Sequence, residues 1–487
     1  MKAYAIVPAA GAAPEDVLKT MQSLQRSDLE IIYVHRPTDE APFGPDIHSV
    51  AWEGETVGSL IEQVRTSETA DVYVWIPPGV ELQPERCREI LDALTRQLNT
   101  SLIFTDYLLG HREMQLHPLR EDLTEREDMG LAWGMTAKAL EAVGGADPSL
   151  KYTTFYDLRL KMTETGPIYH VQNPCFKMDP KEQKELDKAD KLFFPGPGAF
   201  GGFSYLFLDP EEEAEIEQVF YDCLKRRGAW LEPRDNTVTP APVKEGDPIA
   251  SVVIPVHNRG SFLPKAIASV ANGTLQNFEI IIVDNASSDN TREVAEQLAA
   301  EDDRIKVLHN EVNVIAKALN MGVRAARGRY IAQLDSDDEY TERTLEAMVE
   351  YLETHPKCGL AISYYELMDE EGTTLDEFGI IKHLEYNLNN ILRVDGAGAL
   401  RCWHKSVIEE MGGFNETDFP NYGEDYDLVL KVGEKYHVDR VHEVLYRYRR
   451  HPGNTDALRR HADKIEAKTL ARTRAIKRRR ALNGLAS

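Results

Sequence analysis

The sequence is poor in the features that define several large protein classes. Its 487 residues hold five cysteines, Cys87, Cys175, Cys223, Cys358 and Cys402, scattered and without a CxxC pair. So odd and sparse a set argues against a disulfide framework or a thiolate zinc site and fits a reducing compartment. No apolar run approaches the length needed to span a bilayer, and the longest apolar patch, residues 199–208, is short and glycine-rich. The opening MKAYAIVPAAG reads as a strand and a turn, not as a secretory signal. Basic residues are in deficit, 56 Lys and Arg against 81 Asp and Glu. The resulting net charge of −25 repels phosphate backbones and argues against general nucleic-acid binding. The expectation is a cytoplasmic protein, with the inner face of the membrane as the other location left open.

What is present is an ordinary globular composition, 42% hydrophobic and 28% charged. At on the order of 150 residues per domain, the length predicts two or three domains. Short β-branched runs ending in proline, at 3–8 and 250–255, are each followed by an amphipathic helix pattern and a second apolar run, at 29–34 and 278–283. Strand, helix and strand at this spacing predict βαβ units and a parallel sheet. A stretch rich in Pro, Gly and charge spans 179–202. A helix is predicted at 210–227, opened by proline and three glutamates that suit a helix N-terminus. Residues 234–248, with three prolines, read as a linker. The basic segment 456–482, ten Lys and Arg against Asp463 and Glu466 between 459 and 480, reads as a helix.

The two halves repeat each other. LEIIYVH at 29–35 lies against FEIIIVD at 278–284, and residues 71–94 lie without a gap against 329–352. ALEAVGGADPSL at 139–150 matches VIEEMGGFNETD at 407–418, and TFYDLRLKM at 154–162 matches EDYDLVLKV at 424–432.

The halves differ in where their acids stand. Asp335, Ser336, Asp337 and Asp338 follow an apolar strand, at the sheet end where open α/β folds bind ligands. Three clustered carboxylates repel each other unless a cation or hydrogen bonds compensate, and oxygen ligands suit Mg²⁺ or Mn²⁺. A solvated acidic turn is the plainer reading of a bare DxDD, and the strand context weighs against it. Asp284 and Asn285 end a second strand, where a carboxylate and an amide can address a base edge. Ser287, Ser288 and Asp289 beside them read as turn chemistry. Glu424 and Asp425 open a helix, where a carboxylate can take a proton from an attacking hydroxyl or simply cap the helix. Gly412 and Gly413 predict a tight turn in which backbone approaches a ligand or a neighbouring strand.

Together, VVIPVHN, IIIVDNASSD, the block 313–338, GAGALRCWHKSVIEEMGGFNE and GEDYDL make the second half resemble an inverting family 2 glycosyltransferase of the GT-A fold. The resemblance covers residues 249–454. It implies a nucleotide-diphosphate sugar donor, with UDP foremost and GDP or dTDP open, a divalent Mn²⁺ or Mg²⁺ cofactor, and a glycan or lipid-linked hydroxyl acceptor. It implies that Pro255, His257, Asn258, Asp284 and Asn285 bind the nucleotide, with Lys317, Asp335, Ser336 and Asp337 near the donor. Asp337 or Asp338 would hold the metal, with His451 in RYRRHPGN a further candidate ligand, and residues 396–400 would face donor sugar and acceptor. Asp425 would be the general base, with Glu424 beside it. No QxxRW follows, which favours a single transfer over polymerisation.

In the first half, Asp335, Asp337 and Asp338 align with Pro77, Gly79 and Val80. Glu424 and Asp425 align with Thr154 and Phe155, and Asp284 with His35. The expected fold class is therefore α/β: two tandem GT-A, nucleotide-diphospho-sugar transferase-like (Rossmann-like) domains, the first degenerate, plus a C-terminal helix. The expected boundaries are 1–178, a connecting region 179–248, a catalytic domain 249–455 and a basic tail 456–487. The opening VPAAG is also similar to sugar nucleotidyltransferases, but Gly11-Ala12-Ala13-Pro14 lacks the glycines and cations that would hold a triphosphate. The reading is a transferase for bacterial cell-surface glycans. Its rival is a non-catalytic scaffold of two glycan- or partner-binding copies, which the DxDD and ED residues disfavour. Homo-oligomers, and contact of the basic helix with anionic lipid, are the remaining partner expectations; the helix offers no Trp or Phe for insertion.

Overall fold

The computed structural model describes residues 2–25, 27, 29–39, 47–83, 100–116, 123–124, 128–180, 209–454 and 458–485. Several sequence expectations lie outside the described residues: the part of the repeat at 84–94 with Cys87, most of the stretch 179–202, the apolar patch 199–208, and the start of the basic helix at 456. The chain forms two compact units that meet in sequence between Cys223 and Leu224.

The first unit carries β1 (Ala3–Pro8), β2 (Glu30–His35), β3 (His48–Ala51), β4 (Val72–Trp75), β5 (Val80–Leu82), β6 (Leu102–Leu109), β7 (Arg112–Met114), β8 (Trp133–Thr136) and β9 (Ile168–Met178). The second carries β10 (Ala250–Val256), β11 (Phe278–Asn285), β12 (Ile305–Asn310), β13 (Tyr330–Gln333), β14 (Glu339–Tyr340), β15 (Cys358–Met368), β16 (Ile380–Ile381), β17 (Arg401–His404) and β18 (His437–Arg449). The first sheet runs β3-β2-β1-β4-β8-β6-β9-β5, with β7 beside β6. The second runs β12-β11-β10-β13-β17-β15-β18-β14, with β16 beside β15. Position by position the two orders are the same, so the repeat read in the sequence is a repeat of topology.

Ile280, Ile281, Ile282 and Val283 are completely buried, because helices cover both faces of the parallel part of the sheet. Each contributes roughly 1.5–3 kcal/mol by leaving water. The helix Leu263–Ala271 buries Leu263, Ala266, Ile267 and Val270, the i, i+3, i+4, i+7 stripe of an amphipathic helix. Strand order reverses at β10, between β11 and β13, which makes the carboxyl ends of these strands the crevice where such sheets take ligands.

The glycine pairs that align in sequence also agree in backbone. Gly144 and Gly145 have φ of 83° and 85°, and Gly412 and Gly413 have 82° and 75°. A Cβ on Gly413 would stand 2.6 Å from Asn320 Oδ1, and one on Gly145 would stand 2.3 Å from Glu62 Oε1. Each turn therefore docks against a helix, not against a ligand or a strand as the sequence left open.

Residues beyond the first unit's sheet are tied into units as well. The helix Pro210–Arg226 supplies Glu215, whose carboxylate accepts from the backbone amides of Lys151, Tyr152 and Thr153 at 2.9, 2.8 and 2.9 Å and caps the helix Thr154–Thr165. The proline-rich segment packs on the second unit as an extended strap. Leu231 exchanges two hydrogen bonds with the Asn389 side chain, at 3.1 and 2.9 Å, and the Val238 amide donates to the Pro356 carbonyl. The basic helix, His461–Leu482, is held against the same unit by charge. Lys468 pairs with Asp395 at 3.0 Å, Arg474 with Asp418 at 2.7 Å and Arg478 with Glu434 at 2.8 Å. Arg479 is fully buried and donates to Asn389 and to the Leu388 carbonyl. Among the described residues no helix is long and apolar enough to cross a membrane. Replacing Arg479 with alanine leaves Asn389 and the Leu388 carbonyl without this donor, while Glu434 keeps Arg478, and is expected to cost about 1–3 kcal/mol in stability of the second unit. A lowered thermal midpoint measures it.

Candidate active site

At the ends of β10 and β11 the backbone is bent by two non-glycine residues in the left-handed region, Asn258 with φ 54° and Ala286 with φ 58°. Asn258 is held there by its own side chain, whose Oδ1 accepts from the Ser288 amide at 2.8 Å. His257 Nδ1 lies 2.9 Å from the Asn285 carbonyl, and Asn258 Nδ2 lies 3.2 Å from His257 Nε2. Pro255 is half buried beside them. Asp284 is fully enclosed. Arg292 Nε donates to it at 3.1 Å, the Ser287 amide at 3.1 Å, and His309, its register partner on β12, lies at 3.4 Å. Burial opposes its charge, but these hydrogen bonds prevail and hold its carboxyl below the usual range. Asn285 is buried too, bonded to Asn310, Asn313 and the Val314 amide. Both residues thus shape this end of the crevice from within, and the groups with open surface there are Arg292 and His309, 45% and 33% exposed. Neither was singled out in the sequence.

The acidic turn follows β13. Asp335 is exposed, yet the protein around it and the charges of Asp337 and Asp425 push its carboxyl up to about 7, against the pull of Arg401. Ser336 is buried. Asp337 Oδ2 receives His451 Nε2 at 3.0 Å and Arg259 Nε at 3.3 Å. Burial opposes its ionisation, and those two neighbours outweigh it, holding the carboxyl below the usual range. Asp338 faces the other way. Tyr446 Oη donates to its Oδ2 at 2.8 Å, and the Arg449 amide donates to its Oδ1 at 2.7 Å. Its carboxylate is turned into the protein and serves the turn, so it is not placed as the metal ligand the sequence suggested. Arg449, fully buried, donates through Nε to the Asp337 carbonyl at 2.7 Å and through Nη1 to the Glu370 carbonyl at 2.9 Å, and also pairs with Glu339.

Among the described residues no three His, Cys, Asp or Glu side chains close around one point. The converging pair is Asp337 with His451. One or two protein ligands suffice for a hard divalent ion whose remaining sites go to substrate phosphates and water. The donor set therefore fits such an ion carried with a diphosphate, and does not fit an all-protein cage.

Across the sheet, Gly423 in the left-handed region (φ 84°) starts the helix Glu424–Gly433. Asp425 Oδ1 accepts from the Tyr426 amide at 2.7 Å, and Arg401 Nη2 reaches Oδ2 at 2.7 Å. Glu424 is buried, and its Oε2 accepts no hydrogen bond. Burial and the neighbouring Asp425 charge push its carboxyl up to about 8. Lys317 is half buried on the first turn of the helix Ile315–Ala325, whose opening amides donate to Asn421 and to the Pro420 carbonyl. Within residues 396–400, Gly398 and Ala399 are half buried and the others buried.

The same positions of the first unit hold rings. Trp75 and Trp133 are register partners, as Gln333 and Arg401 are one step beyond the Ala332–Cys402 pair. Phe155 stands where Asp425 does. Its ring lies 5.1 Å from Trp75 and 4.9 Å from Trp133, both edge-on. Other features survive: Lys161 pairs with Asp157 at 2.6 Å as Lys431 pairs with Asp427 at 2.7 Å.

Residues 251–412 match the family described as Glycosyl transferase family 2. The chain is 28% identical over 220 residues to glycosyltransferase GlyG of Streptococcus pneumoniae serotype 4, covering 42% of this chain and 72% of that protein. It is 36% identical over 132 residues to TuaG of Bacillus subtilis, named as a teichuronic acid biosynthesis glycosyltransferase, covering 27% and 52%. An uncharacterized glycosyltransferase of Rickettsia bellii is 35% identical over 445 residues, covering 85% of this chain and 62% of its own length, so that likeness reaches into both units.

The Glu424 environment carries a signed pH dependence. A carboxyl whose pKa is raised on folding lends stability that is full below its ordinary value of 4.5 and is lost as pH rises through about 8. Glu424→Gln removes that loss. Its thermal midpoint should match the wild type near pH 4 and exceed it increasingly up to pH 9.

Proposed function

We propose that this chain, a glycosyltransferase that carries a family 2 glycosyltransferase domain, moves a sugar with inversion from a nucleotide diphosphate to an acceptor hydroxyl in cell-surface glycan synthesis. The observation that supports this most directly is the placement of Asp337 with His451 and of Asp425 at one end of one sheet, with Asp335 between them feeling both carboxylate charges. In this reading Asp337 and His451 are the residues that would hold a divalent ion with the donor diphosphate, and the chemistry it would supply there is positive charge for the departing nucleotide. Arg259 keeps Asp337 ionised and oriented. The ends of β10 to β12, with His257, Pro255, Arg292 and His309, receive the nucleoside, and Lys317 stands beside the diphosphate. Asp425 accepts the proton of the attacking hydroxyl while the C1–oxygen bond to the diphosphate breaks, so one displacement inverts C1. The likeness to TuaG, named for teichuronic acid biosynthesis, supports a polymer acceptor of the cell surface.

The first unit is read as a copy without this chemistry. Rings fill the place of the base, and Pro77-Pro78-Gly79-Val80 offers no side-chain oxygen to a hard cation.

Three measurements test these assignments. Thermal-shift screening of the full chain with UDP-, GDP- and dTDP-sugars should find one donor class that stabilises only with Mn²⁺ or Mg²⁺, and calorimetry should count one site per chain. Asp337→Asn with His451→Ala should remove the metal dependence; undiminished dependence would place the ion elsewhere, and two sites per chain would give the first unit a nucleotide of its own. Separately, Asp425→Asn should bind donor as the wild type does and transfer roughly a hundredfold more slowly, as loss of a general base requires. A wild-type rate in that variant would remove Asp425 from the role.

A further inference from the structure

We propose that Arg401 is a positioning residue for Asp425: its guanidinium fixes the carboxylate in the orientation from which it receives the acceptor's proton. The inference rests on the reading of Asp425 as the base.

The geometry leaves the carboxylate little freedom. One oxygen, Oδ1, is bonded to the Tyr426 amide in the first turn of its own helix, and the other, Oδ2, to Arg401 Nη2, each at 2.7 Å. Rotation about the Cβ–Cγ bond would break both. Arg401 is itself held on a rigid element, as the first residue of β17 beside the end of β13, and its side chain is only 14% exposed. Asp425 keeps 29% of its side-chain surface, so the acid and not the arginine is the member with more surface open to a substrate. The guanidinium also interacts with the charges of Asp335 and Asp395. Asp395 is anchored by Lys468 from the basic helix at 3.0 Å. Arg401 is thus fixed by more than the group it positions, as a positioning residue must be. Its buried Nε donates to nothing, so the fork is placed for the Asp425 contact and not for full satisfaction of its own donors.

The first unit provides an internal comparison. A pair that served only to dock the helix on the sheet would persist wherever that docking persists. The Asp427–Lys431 pair does so, as Asp157–Lys161, and so does the tyrosine that follows the base position: Tyr426 Oη donates to the Ile391 carbonyl at 2.7 Å, and Tyr156 Oη to the Leu123 carbonyl at 2.6 Å. Arg401 and Asp425 instead disappear together, replaced by Trp133 and Phe155 in ring contact at the same place. The arginine's presence follows the base and not the fold.

A double-mutant cycle on the full-length chain tests this, using the nucleotide sugar that the wild type turns over fastest. The wild-type rate tests the glycosyl-transfer reading, and the cycle tests Arg401. Arg401→Met should lower kcat by about tenfold or more while donor KM stays within about twofold, and Arg401→Lys should restore part of the loss. In the Asp425→Asn background, Arg401→Met should cause no further loss, because the two residues act as one unit. Losses that multiply across the cycle, or a rise in donor KM with kcat intact, would overturn the proposal and make Arg401 a structural residue or a donor anchor. Thermal midpoints are measured for every variant. Should the methionine variant not fold, the same cycle run with Arg401→Lys keeps both outcomes open to measurement.

Discussion

Four carboxylates in five residues, Asp335 to Glu339, cannot be packed at a sheet edge without cations, and the way this turn is neutralised organises the second unit. Arg449 braces three of the turn's residues, while Arg259 and His451 meet the Asp337 carboxylate. From β18 Arg449 bonds the Asp337 carbonyl, the Glu339 carboxylate and the carbonyl of Glu370, while its amide holds Asp338. A lysine could offer the charge but not the fork that reaches several acceptors at once. With Asp338 turned inward and Glu339 shared between Arg447 and Arg449, only Asp335 and Asp337 are left to face the crevice. His451 follows two residues after the end of this strand, so the clamp that stabilises the turn also delivers the imidazole to Asp337.

The two units separate what the fold requires from what the proposed chemistry requires. Both keep the strand order, the left-handed glycine pair docked on a helix, the buried tyrosine and the Asp–Lys pair one helical turn apart. Only the second keeps acids at the strand ends. Rings are a cheaper solution for folding there, since a buried carboxylate needs a partner and a phenyl group does not.

Much of this was legible in the sequence. Strand periodicity and the matched segments gave the doubled α/β topology, because buried parallel strands are written as continuous β-branched runs. The acids of the site stood out because carboxylates crowded at a strand end repel one another and call for a compensating cation. What stayed hidden was orientation and pairing. Nothing in Asp335-Ser336-Asp337-Asp338 says that Asp338 points inward, since that depends on Tyr446 and Arg449 more than a hundred positions away. Arg401, Arg292 and His309 carry no local motif. His309 becomes visible only through strand register, opposite Asp284. The proline-rich strap and the basic helix read as linker and tail because composition reports exposure on average, whereas Leu231, Val238 and Arg479 are buried individually.

β18 spans His437–Arg449 and pairs in register with two strands at once, Tyr340 facing Tyr446 and Glu339 facing Arg447 on one side, and Tyr365 facing Tyr446 on the other. Upstream of Tyr446 the pairing with β15 already shifts register, so an added residue there can be taken up as a bulge. From Tyr446 to Arg449 the pairing runs without a shift, and because alternate residues of a strand point to opposite faces, adding or removing one residue there would exchange the clamp for its neighbours. Insertions and deletions should therefore be rarer between residues 446 and 449 of any descendant of this sequence than in the stretch of the same strand before them.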